Sequence, residues 1–226
     1  MPDYGPRIVT DGLILCLDAS NPKSYPGSGT TWYDITGRAD GTIAGTISFV
    51  SAGPQSYFNF ATSNDSNYIE SANISQTYLD MTIVFLPDFT RVSAAGLAGI
   101  IASSTPTVGA DDSLRFQSVN GTGPWVIRNV GTTGTDANDW TQTTATKYYL
   151  NGTGGATTLV SGWNILGGYR TNQSNFASSF RYYLGTSGYP TRGFQGRLAY
   201  VAMYNRQLTD QDHLQNYGAL KSRFGL

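Results

Sequence analysis

The residues that could perform catalysis are few in this 226-residue chain. Glu70 is its single glutamate, His213 its single histidine and Cys16 its single cysteine. Hydrolysis of a glycosidic bond generally requires two carboxyl groups flanking that bond, and no second carboxylate alternates with Glu70 along its segment. One histidine excludes a multi-histidine metal site, and one cysteine excludes an intrachain disulfide and a multi-cysteine zinc site. We therefore expect a protein that is not an enzyme.

Two oxygen-rich segments are the candidates for a metal ion. Asp65 lies in an Asn-Asp-Ser-Asn segment, and Asp111 and Asp112 precede a serine. Ca²⁺ takes several oxygen ligands, which such loops can supply. Neither segment has the Asp-x-Asp-x-Asp spacing with a closing Glu, and Asn and Asp are ordinary turn residues. Turns are the favoured interpretation and Ca²⁺ is the alternative; we expect no other cofactor.

Aromatic residues, which make up 13% of the chain, are the candidate contacts for a glycan or a protein partner. Aromatic faces stack on sugar rings, and aromatic side chains are enriched at protein interfaces. Core filling is the other role open to them, and the sequence does not separate the two. For the segment Trp32–Asp34 we favour a packing plug at a sheet edge over a sugar platform. The remaining candidates are Trp125, Trp140, Tyr169, Tyr182 and Tyr183.

The charge balance and the distribution of apolar residues exclude two classes of partner. The formal net charge is −1, and only three of the 14 basic residues are lysines, so no basic footprint for nucleic acid is present. No apolar run approaches the length of a membrane span. The first twelve residues lack the basic and then apolar pattern of a secretory signal. We expect neither nucleic acid nor a membrane as a partner.

Short apolar segments separated by Gly, Asn, Ser and Thr predict an all-β protein. The segment Gly12–Ala19 is apolar and bounded by turn residues, which indicates a buried strand. Met81–Leu86 has apolar residues on both faces, which is typical of a strand covered on both sides. In 114–117, Leu and Phe alternate with Arg and Gln, so that strand is predicted to be half exposed. Further strands are predicted at 56–60, 99–102, 125–130, 147–150, 163–166, 181–184 and 194–204.

The C-terminal segment predicts one short helix at about 209–222. Thr209 can cap its first turn, acidic residues follow, and Gly225 can end it. The spacing of Leu214, Tyr217 and Leu220 predicts that these three pack on the sheets, while Gln211 and Gln215 face water. For His213, beside Asp212, the position favours a solvated or capping role.

Residues 1–10 are predicted to be an N-terminal arm, and residues 11–226 one domain. The arm has no place in the strand or helix pattern, and its Tyr4, Pro6, Ile8 and Val9 could dock on a neighbouring subunit. Because the chain has few charged residues, its exposed apolar surface favours association. We therefore expect a homo-oligomer, a dimer or a trimer, with the arm at or near the contact.

Both ends of the chain resemble one known family. The opening Gly12–Ala19, the segment Asn21–Asp34 and the closing Phe194–Arg206 and Asn216–Leu226 resemble laminin-G-like, concanavalin-A-like jelly-roll domains of virion proteins from tailed bacteriophages, marine and cyanobacterial phages included. Tyr68-Ile69 and the strand at Met81 fit the same pattern, whereas Ser104–Ser179 does not. The resemblance implies an antiparallel β-sandwich of two packed sheets.

The resemblance also implies a function, which the residues alone do not. It implies a non-enzymatic structural protein on the outer surface of a virion, assembled in the host cytoplasm, that decorates or cements the capsid or forms part of a fibre. Its partner would be the major capsid protein. The alternative is a carbohydrate-binding adhesin that recognises a host-surface glycan.

Overall fold

The computed structural model describes residues 7–62, 66–72, 74, 80–88, 97–102, 113–118, 125–130, 146–155, 159–170, 181–186 and 193–226. These residues form fifteen strands and one α-helix: β1 (Leu13–Asp18), β2 (Thr31–Trp32), β3 (Gly41–Ala44), β4 (Ser48–Val50), β5 (Tyr57–Phe60), β6 (Tyr68–Ser71), β7 (Asp80–Pro87), β8 (Leu97–Ala102), β9 (Ser113–Ser118), β10 (Trp125–Val130), β11 (Thr146–Leu150), β12 (Thr153–Gly154), β13 (Asn164–Arg170), β14 (Tyr183–Leu184), β15 (Gly196–Tyr204) and α1 (Asp210–Phe224). A 3-10 turn, Gly53–Gln55, precedes β5.

The strands form two antiparallel sheets that make a β-sandwich. The eight-stranded sheet has the order β12-β11-β13-β7-β15-β5-β4, and β1 pairs with β15 beside β5. The seven-stranded sheet has the order β10-β9-β8-β14-β6-β3-β2. This confirms the predicted all-β antiparallel sandwich with one C-terminal helix. Five of these strands are not predicted from the sequence. β2, β4 and β12 have only two or three residues, and β3 and β6 have four, too few to show a clear period.

The main core lies between the two sheets. Ile83 and Phe85 of β7 face Ile69 and Leu184 of the seven-stranded sheet, and all four are buried. Trp32 is also fully buried here and packs against Phe58, with ring centroids 4.6 Å apart. Alternate residues of a strand point to opposite faces, so the intervening Thr82 and Val84 face away from this core.

A second core lies on the outer face of the eight-stranded sheet, beneath the helix. Val84 and Ala202 of the sheet pack here with Leu220 and Phe224 of α1. The central strand β7 is therefore covered on both faces, as its sequence predicts. Gly167 of β13 lets the helix approach closely, because a Cβ at this position would lie 2.6 Å from Nδ1 of His213.

Ionic contacts fix the helix at both ends. Thr209 caps the first turn and Gly225 ends the helix in a left-handed conformation, as the sequence predicts. Near the first turn, Nη1 of Arg206 lies 2.9 Å from the carboxylate of Asp212. In the last turn, the two terminal nitrogens of Arg223 donate to the two oxygens of Asp18, at 2.8 and 2.6 Å.

The face of α1 that packs on the sheet differs from the prediction. Leu214, predicted to be buried, is 45% exposed, whereas His213, predicted to be solvated or capping, is 3% exposed. Gln211 and Gln215 are exposed, as predicted. The buried positions are His213, Asn216, Leu220 and Phe224, which share one helical stripe. Asn216 lies on that stripe because it forms hydrogen bonds with Thr82 and Tyr204 of the sheet and with Val9 of the N-terminal segment. His213 lies there beside the carboxylate of Asp80 and stacked on the ring of Tyr149. Apolar spacing alone therefore misplaces the buried face.

The segment 7–10 of the predicted arm docks on the chain itself. The backbone N–H of Val9 donates to Oδ1 of Asn216 at 2.8 Å, and the hydroxyl of Tyr204 donates to the carbonyl of Val9 at 3.2 Å. Val9 is buried, and Ile8 packs against the same core. Val9 and Ile8 therefore contact the chain's own core, and docking of the arm on a neighbouring subunit stays a prediction. Tyr4 and Pro6 lie outside the described residues.

The segment after β2 covers the free edge of β1. The carboxylate of Asp34 is buried and accepts hydrogen bonds from four backbone N–H groups, those of Cys16, Thr36, Arg38 and Ala39. The N–H of Ile35 donates to the carbonyl of Cys16 at 2.9 Å. Trp32 thus has the packing role predicted for this segment, and Asp34 fixes the loop that covers an otherwise unpaired strand edge. Tyr33, in the same segment, is exposed instead of packed. No helix in the described part of the chain is long and apolar enough to cross a membrane.

Candidate functional site

The helix leaves part of the outer face of the eight-stranded sheet uncovered. At its C-terminal end, Phe224 packs on Trp163, and Trp163 meets Tyr57 edge-on at 5.9 Å between ring centroids. Beyond Tyr57 the strands β5, β15 and β7 form the floor of a groove of about 380 Å³. It is lined by Asn59, Phe60, Ala61, Leu86, Pro87, Asp88, Gly196 and Arg197.

Strand register places three of the lining residues side by side. Arg197 of β15 pairs with Asn59 of β5 on one side and with Leu86 of β7 on the other. Their neighbours along the strands, Phe58, Phe85 and Leu198, belong to the core between the sheets. Because strand residues alternate between faces, Asn59, Leu86 and Arg197 lie together on the outer face. The groove therefore combines an amide, an apolar side chain and a cation in one row.

Arg197 is the cation of this groove. Its side chain is exposed, and its guanidinium carbon lies 4.8 Å from the centroid of the Tyr57 ring. Among the described residues no carboxylate forms an ion pair with Arg197. A guanidinium lying over an aromatic face is held in place by a cation–π attraction. Its hydrogen-bonding edge is therefore left for a ligand.

Asn59 and Asp88 provide further polar groups. The side-chain amide of Asn59 has no hydrogen-bond partner in the described part of the chain, so both its oxygen and its nitrogen can bind a ligand. Asp88 follows β7, and its backbone N–H donates to the carbonyl of Gln195 at 3.1 Å. The side-chain amide of Gln195 donates in turn to the carbonyl of Ala61 at 2.7 Å. These two bonds tie the ends of β5, β7 and β15 together at this end of the groove.

The shape of the groove depends on Gly196. Its φ is +142°, and a Cβ at this position would lie 2.3 Å from the carbonyl oxygen of Leu86. The same Cβ would lie 2.8 Å from the buried ring of Phe194, so a side chain here would force β15 away from β7. Glycine therefore lets the two strands pair closely at this end of the groove. A volume of this size suits a ligand of one or two sugar-sized rings.

The predicted aromatic contacts do not meet at this groove. Tyr182 is 1% exposed and belongs to the core between the sheets, so core filling is its role. Tyr183 is also buried and packs edge-on against Tyr68 at 5.6 Å on the seven-stranded sheet. The backbone of Trp125 pairs with Ser118, and that of Tyr169 with Asp80 and Lys147. The side chains of Trp125 and Tyr169 lie outside the described part of the chain, as does all of Trp140.

The carboxylate of Glu70 is in contact with two neighbouring side chains. Nη1 of Arg181 lies 2.5 Å from Oε1 of Glu70, and the hydroxyl of Tyr183 donates to the same oxygen at 3.1 Å. Burial and the neighbouring Glu70 carboxylate raise the pKa of Tyr183, so its hydroxyl stays protonated and continues to donate. These contacts link β6 to the segment at β14.

The candidate calcium ligands Asp65, Asp111 and Asp112 lie outside the described residues. Within the residues that are described, no group of three or more His, Cys, Asp or Glu side chains lies close enough to hold a metal ion.

The sequence analysis misses the groove residues. Asn59 and Arg197 are single polar residues in otherwise aromatic or aliphatic strands, Tyr57–Phe60 and Gly196–Tyr204. A lone cation in such a strand is the signal that could have indicated an exposed position beside a buried one. Register across three strands that are distant in sequence then brings them together, and only the structure provides that register.

The fold is shared with several solved structures. A Trypanosoma rangeli sialidase in complex with the inhibitor DANA aligns with a TM-score of 0.58 at 14% identity, over 96% of this chain and 34% of the sialidase chain. Domain 4 of AbnA, an extracellular arabinanase from Geobacillus stearothermophilus, was solved with arabinotriose. It aligns with a TM-score of 0.55 at 13% identity, over 92% of this chain and 98% of that domain.

A third neighbour is the binding domain of botulinum neurotoxin DC in complex with SialylT. It aligns with a TM-score of 0.54 at 14% identity, over 93% of this chain and 52% of that chain. No family model and no curated protein matches the sequence. The chain thus spans about a third of the sialidases it resembles, and at these identities the comparison shows the β-sandwich fold alone.

Proposed function

We propose that this chain is a non-catalytic carbohydrate-binding domain that holds a glycan in the groove formed by β5, β15 and β7. The observation that carries the proposal is the row of Asn59, Arg197 and Leu86. It places an amide and a cation, neither of them paired with another described residue, beside an apolar floor within one groove. Sugar rings present hydroxyls at their edges and C–H groups on their faces, so they suit such a combination.

The neighbours in fold support this choice of ligand class. The arabinanase domain, which matches this chain over nearly its full length, was solved with arabinotriose, and the neurotoxin binding domain with SialylT. Sandwiches of this kind therefore bind saccharides elsewhere. The position of the site in this chain rests on its own groove residues.

The absence of catalysis is part of the proposal. Glycoside hydrolysis in most families needs two carboxyl groups flanking the scissile bond. Among the described residues that line the groove, Asp88 carries the one carboxylate, and Glu70 lies on the other sheet in contact with Arg181. We expect binding without hydrolysis.

A glycan array tests the proposal. The protein should bind a subset of glycans. Asn59→Ala should weaken that binding about tenfold, because the hydrogen bond between the Asn59 amide and the bound glycan is lost. Tyr33→Ala is the control, since Tyr33 is exposed on the loop that follows β2 and does not line the groove. Binding to no glycan at all, or equal loss in both variants, would refute the proposal.

A second candidate function is that of a structural protein on the surface of a phage virion, bound to the major capsid protein. The observation that favours it is a pair of exposed apolar residues, Tyr33 and Ile35, which are 45% and 46% exposed. Asp34, between them, fixes the backbone through its four N–H bonds, so the pair is held rigidly. Rigid, exposed apolar side chains are suited to a protein contact.

The two functions predict opposite effects of the same variants. On the capsid proposal, Tyr33→Ala and Ile35→Ala should release the protein from purified tail-less capsids, while Asn59→Ala should not. On the glycan proposal, Asn59→Ala should weaken binding to the array and the two loop variants should not. A sedimentation assay with capsids, run beside the array, separates the two.

A further inference from the structure

We propose that the groove selects glycans that carry a carboxylate, and that Arg197 binds this carboxylate. The inference rests on the proposed function, because it names the class of glycan that the same groove would hold. It goes beyond that function in predicting that neutral sugars of the same shape bind poorly.

The geometry of Arg197 carries the inference. Its guanidinium is exposed and forms no ion pair with a carboxylate of the described residues. Two other arginines of the described residues are paired with carboxylates, Arg206 with Asp11 and Asp212 and Arg223 with Asp18. Arg197, by contrast, has no counter-ion among the described residues and lies beside a ligand-sized groove.

The ring of Tyr57 orients the guanidinium of Arg197 so that its edge can bind a planar carboxylate. The guanidinium carbon lies 4.8 Å from the ring centroid, so one face of the group is occupied by the aromatic ring. The N–H groups lie along the edge of the plane and can bind the two oxygens of a carboxylate together. Because the cation–π contact already restricts the side chain, less rotamer freedom is lost when a ligand binds.

The amide of Asn59 lies beside this cation. Asn59 is the register partner of Arg197 on β5, and its side chain can both donate to and accept from the hydroxyls of a sugar ring. A sugar acid can therefore bind with its carboxylate at Arg197 and a hydroxyl at Asn59. A neutral sugar leaves Arg197 without an anionic partner among the described residues.

Paired ligands provide the test. The wild-type protein is titrated with sialyllactose and with lactose, and with oligogalacturonate and with its methyl ester, at low and at high ionic strength. An array of further acidic and neutral glycans extends the comparison. In each pair that binds, the acidic member should bind about tenfold more tightly, and high salt should reduce the difference.

Two variants assign the effect to one side chain. Arg197→Gln should abolish the preference for the acidic member, because the cation is lost while the side chain remains polar. Arg38→Gln removes the same charge from an exposed position on the loop before β3 and should leave the preference unchanged. Both residues are exposed, so neither substitution is expected to affect folding, and circular dichroism checks this.

The outcomes distinguish this inference from the proposed function. If neutral glycans bind as tightly as acidic ones, or if Arg197→Gln keeps the preference, the inference is wrong and the groove binds neutral sugars. A preference for sulfated polymers that Arg38→Gln reduces equally would assign the binding to general charge and also overturn it. If no glycan binds at all, the proposed function itself fails.

Discussion

His213 of the closing helix and Asp80 of β7 form a buried pair, with Nε2 of the imidazole 3.3 Å from Oδ2 of the carboxylate. The geometry of this contact is not that of a hydrogen bond. Oδ1 of Asp80 accepts from the N–H of Met81 at 2.7 Å, and Oδ2 accepts from the N–H of Leu208 at 2.8 Å. The ring of Tyr149 stacks on the imidazole at 4.2 Å. One carboxylate therefore links the sheet to the segment that leads into the helix.

Removing this carboxylate should destabilise the fold. Asp80→Ala leaves the N–H groups of Met81 and Leu208 without their acceptors, and each buried donor left unsatisfied costs about 1–3 kcal/mol. Urea denaturation measures the change in the free energy of unfolding. In a double-mutant cycle with His213→Gln we expect a coupling of about 0.5–3 kcal/mol. Additive effects of the two substitutions would show that the residues do not interact.

Two leucines of the helix should differ sharply in their contribution to stability. Leu220 is buried against the sheet, whereas Leu214 is 45% exposed. Leu220→Ala should reduce the free energy of unfolding by about 2–5 kcal/mol through lost burial and a cavity, and Leu214→Ala by less than about 1 kcal/mol. Thermal and urea denaturation of both variants provide the comparison. A larger effect at Leu214 would mean that the helix packs with a different face.

The helix shows where reasoning from the sequence succeeds and where it stops. Its ends are predicted well, because capping by Thr209 and Gly225 is a local property of the chain. Its buried face is not, because the stripe contains His213 and Asn216. Each is accommodated by groups distant in sequence, Asp80 for the histidine, and Thr82 and Tyr204 for the asparagine. The spacing of apolar residues along the helix cannot reveal these distant partners.

Acid should remove the contribution of Asp212 to stability. The hydrogen bond from Arg206, with those from Thr209, lowers the pKa of Asp212 from 3.8 to about 2. A carboxyl group whose pKa is lower in the folded state stabilises fully above its unfolded pKa and loses that effect as the pH falls toward 2. Asp212→Asn should therefore be less stable than wild type by about 1 kcal/mol above pH 5.

Urea denaturation of wild type and Asp212→Asn between pH 7 and pH 2 measures this difference. It should shrink below pH 4 and vanish near pH 2. A difference that stays constant over this range would show that the ion pair with Arg206 contributes nothing to the effect of the substitution.

The thiol of Cys16 should be inert in the folded protein. Burial raises its pKa to about 11, and its sulfur lies 3.5 Å from the hydroxyl of Tyr200. The thiolate is the reactive form, so at pH 8 a thiol reagent should label the native protein slowly and the protein in guanidinium rapidly. Mass spectrometry follows the reaction, and the single cysteine makes the result unambiguous. Rapid labelling of the native protein would contradict the burial of this strand.

The candidate site was less predictable than the fold for a physical reason. Local patterns of apolar residues predict strands such as β7 and β10, and the predicted ranges 81–86 and 125–130 match these strands closely. The groove depends on which strands lie side by side, since Asn59 and Arg197 are 138 positions apart yet pair in register. An aromatic residue suits either a binding surface or a core, and the sequence does not show which. In the structure Tyr182 is buried and fills the core.

The most direct test of the account is to map the bound glycan on the protein by NMR. The ¹⁵N-labelled chain is titrated with the glycan that binds most tightly on the array, and the backbone amide shifts are followed. The largest changes should fall on Asn59, Phe60, Leu86, Asp88, Gly196 and Arg197, and Asn59→Ala should reduce them at equal ligand concentration. Changes confined to the seven-stranded sheet or to the loop that carries Tyr33, or no changes at all, would contradict the assignment of the groove.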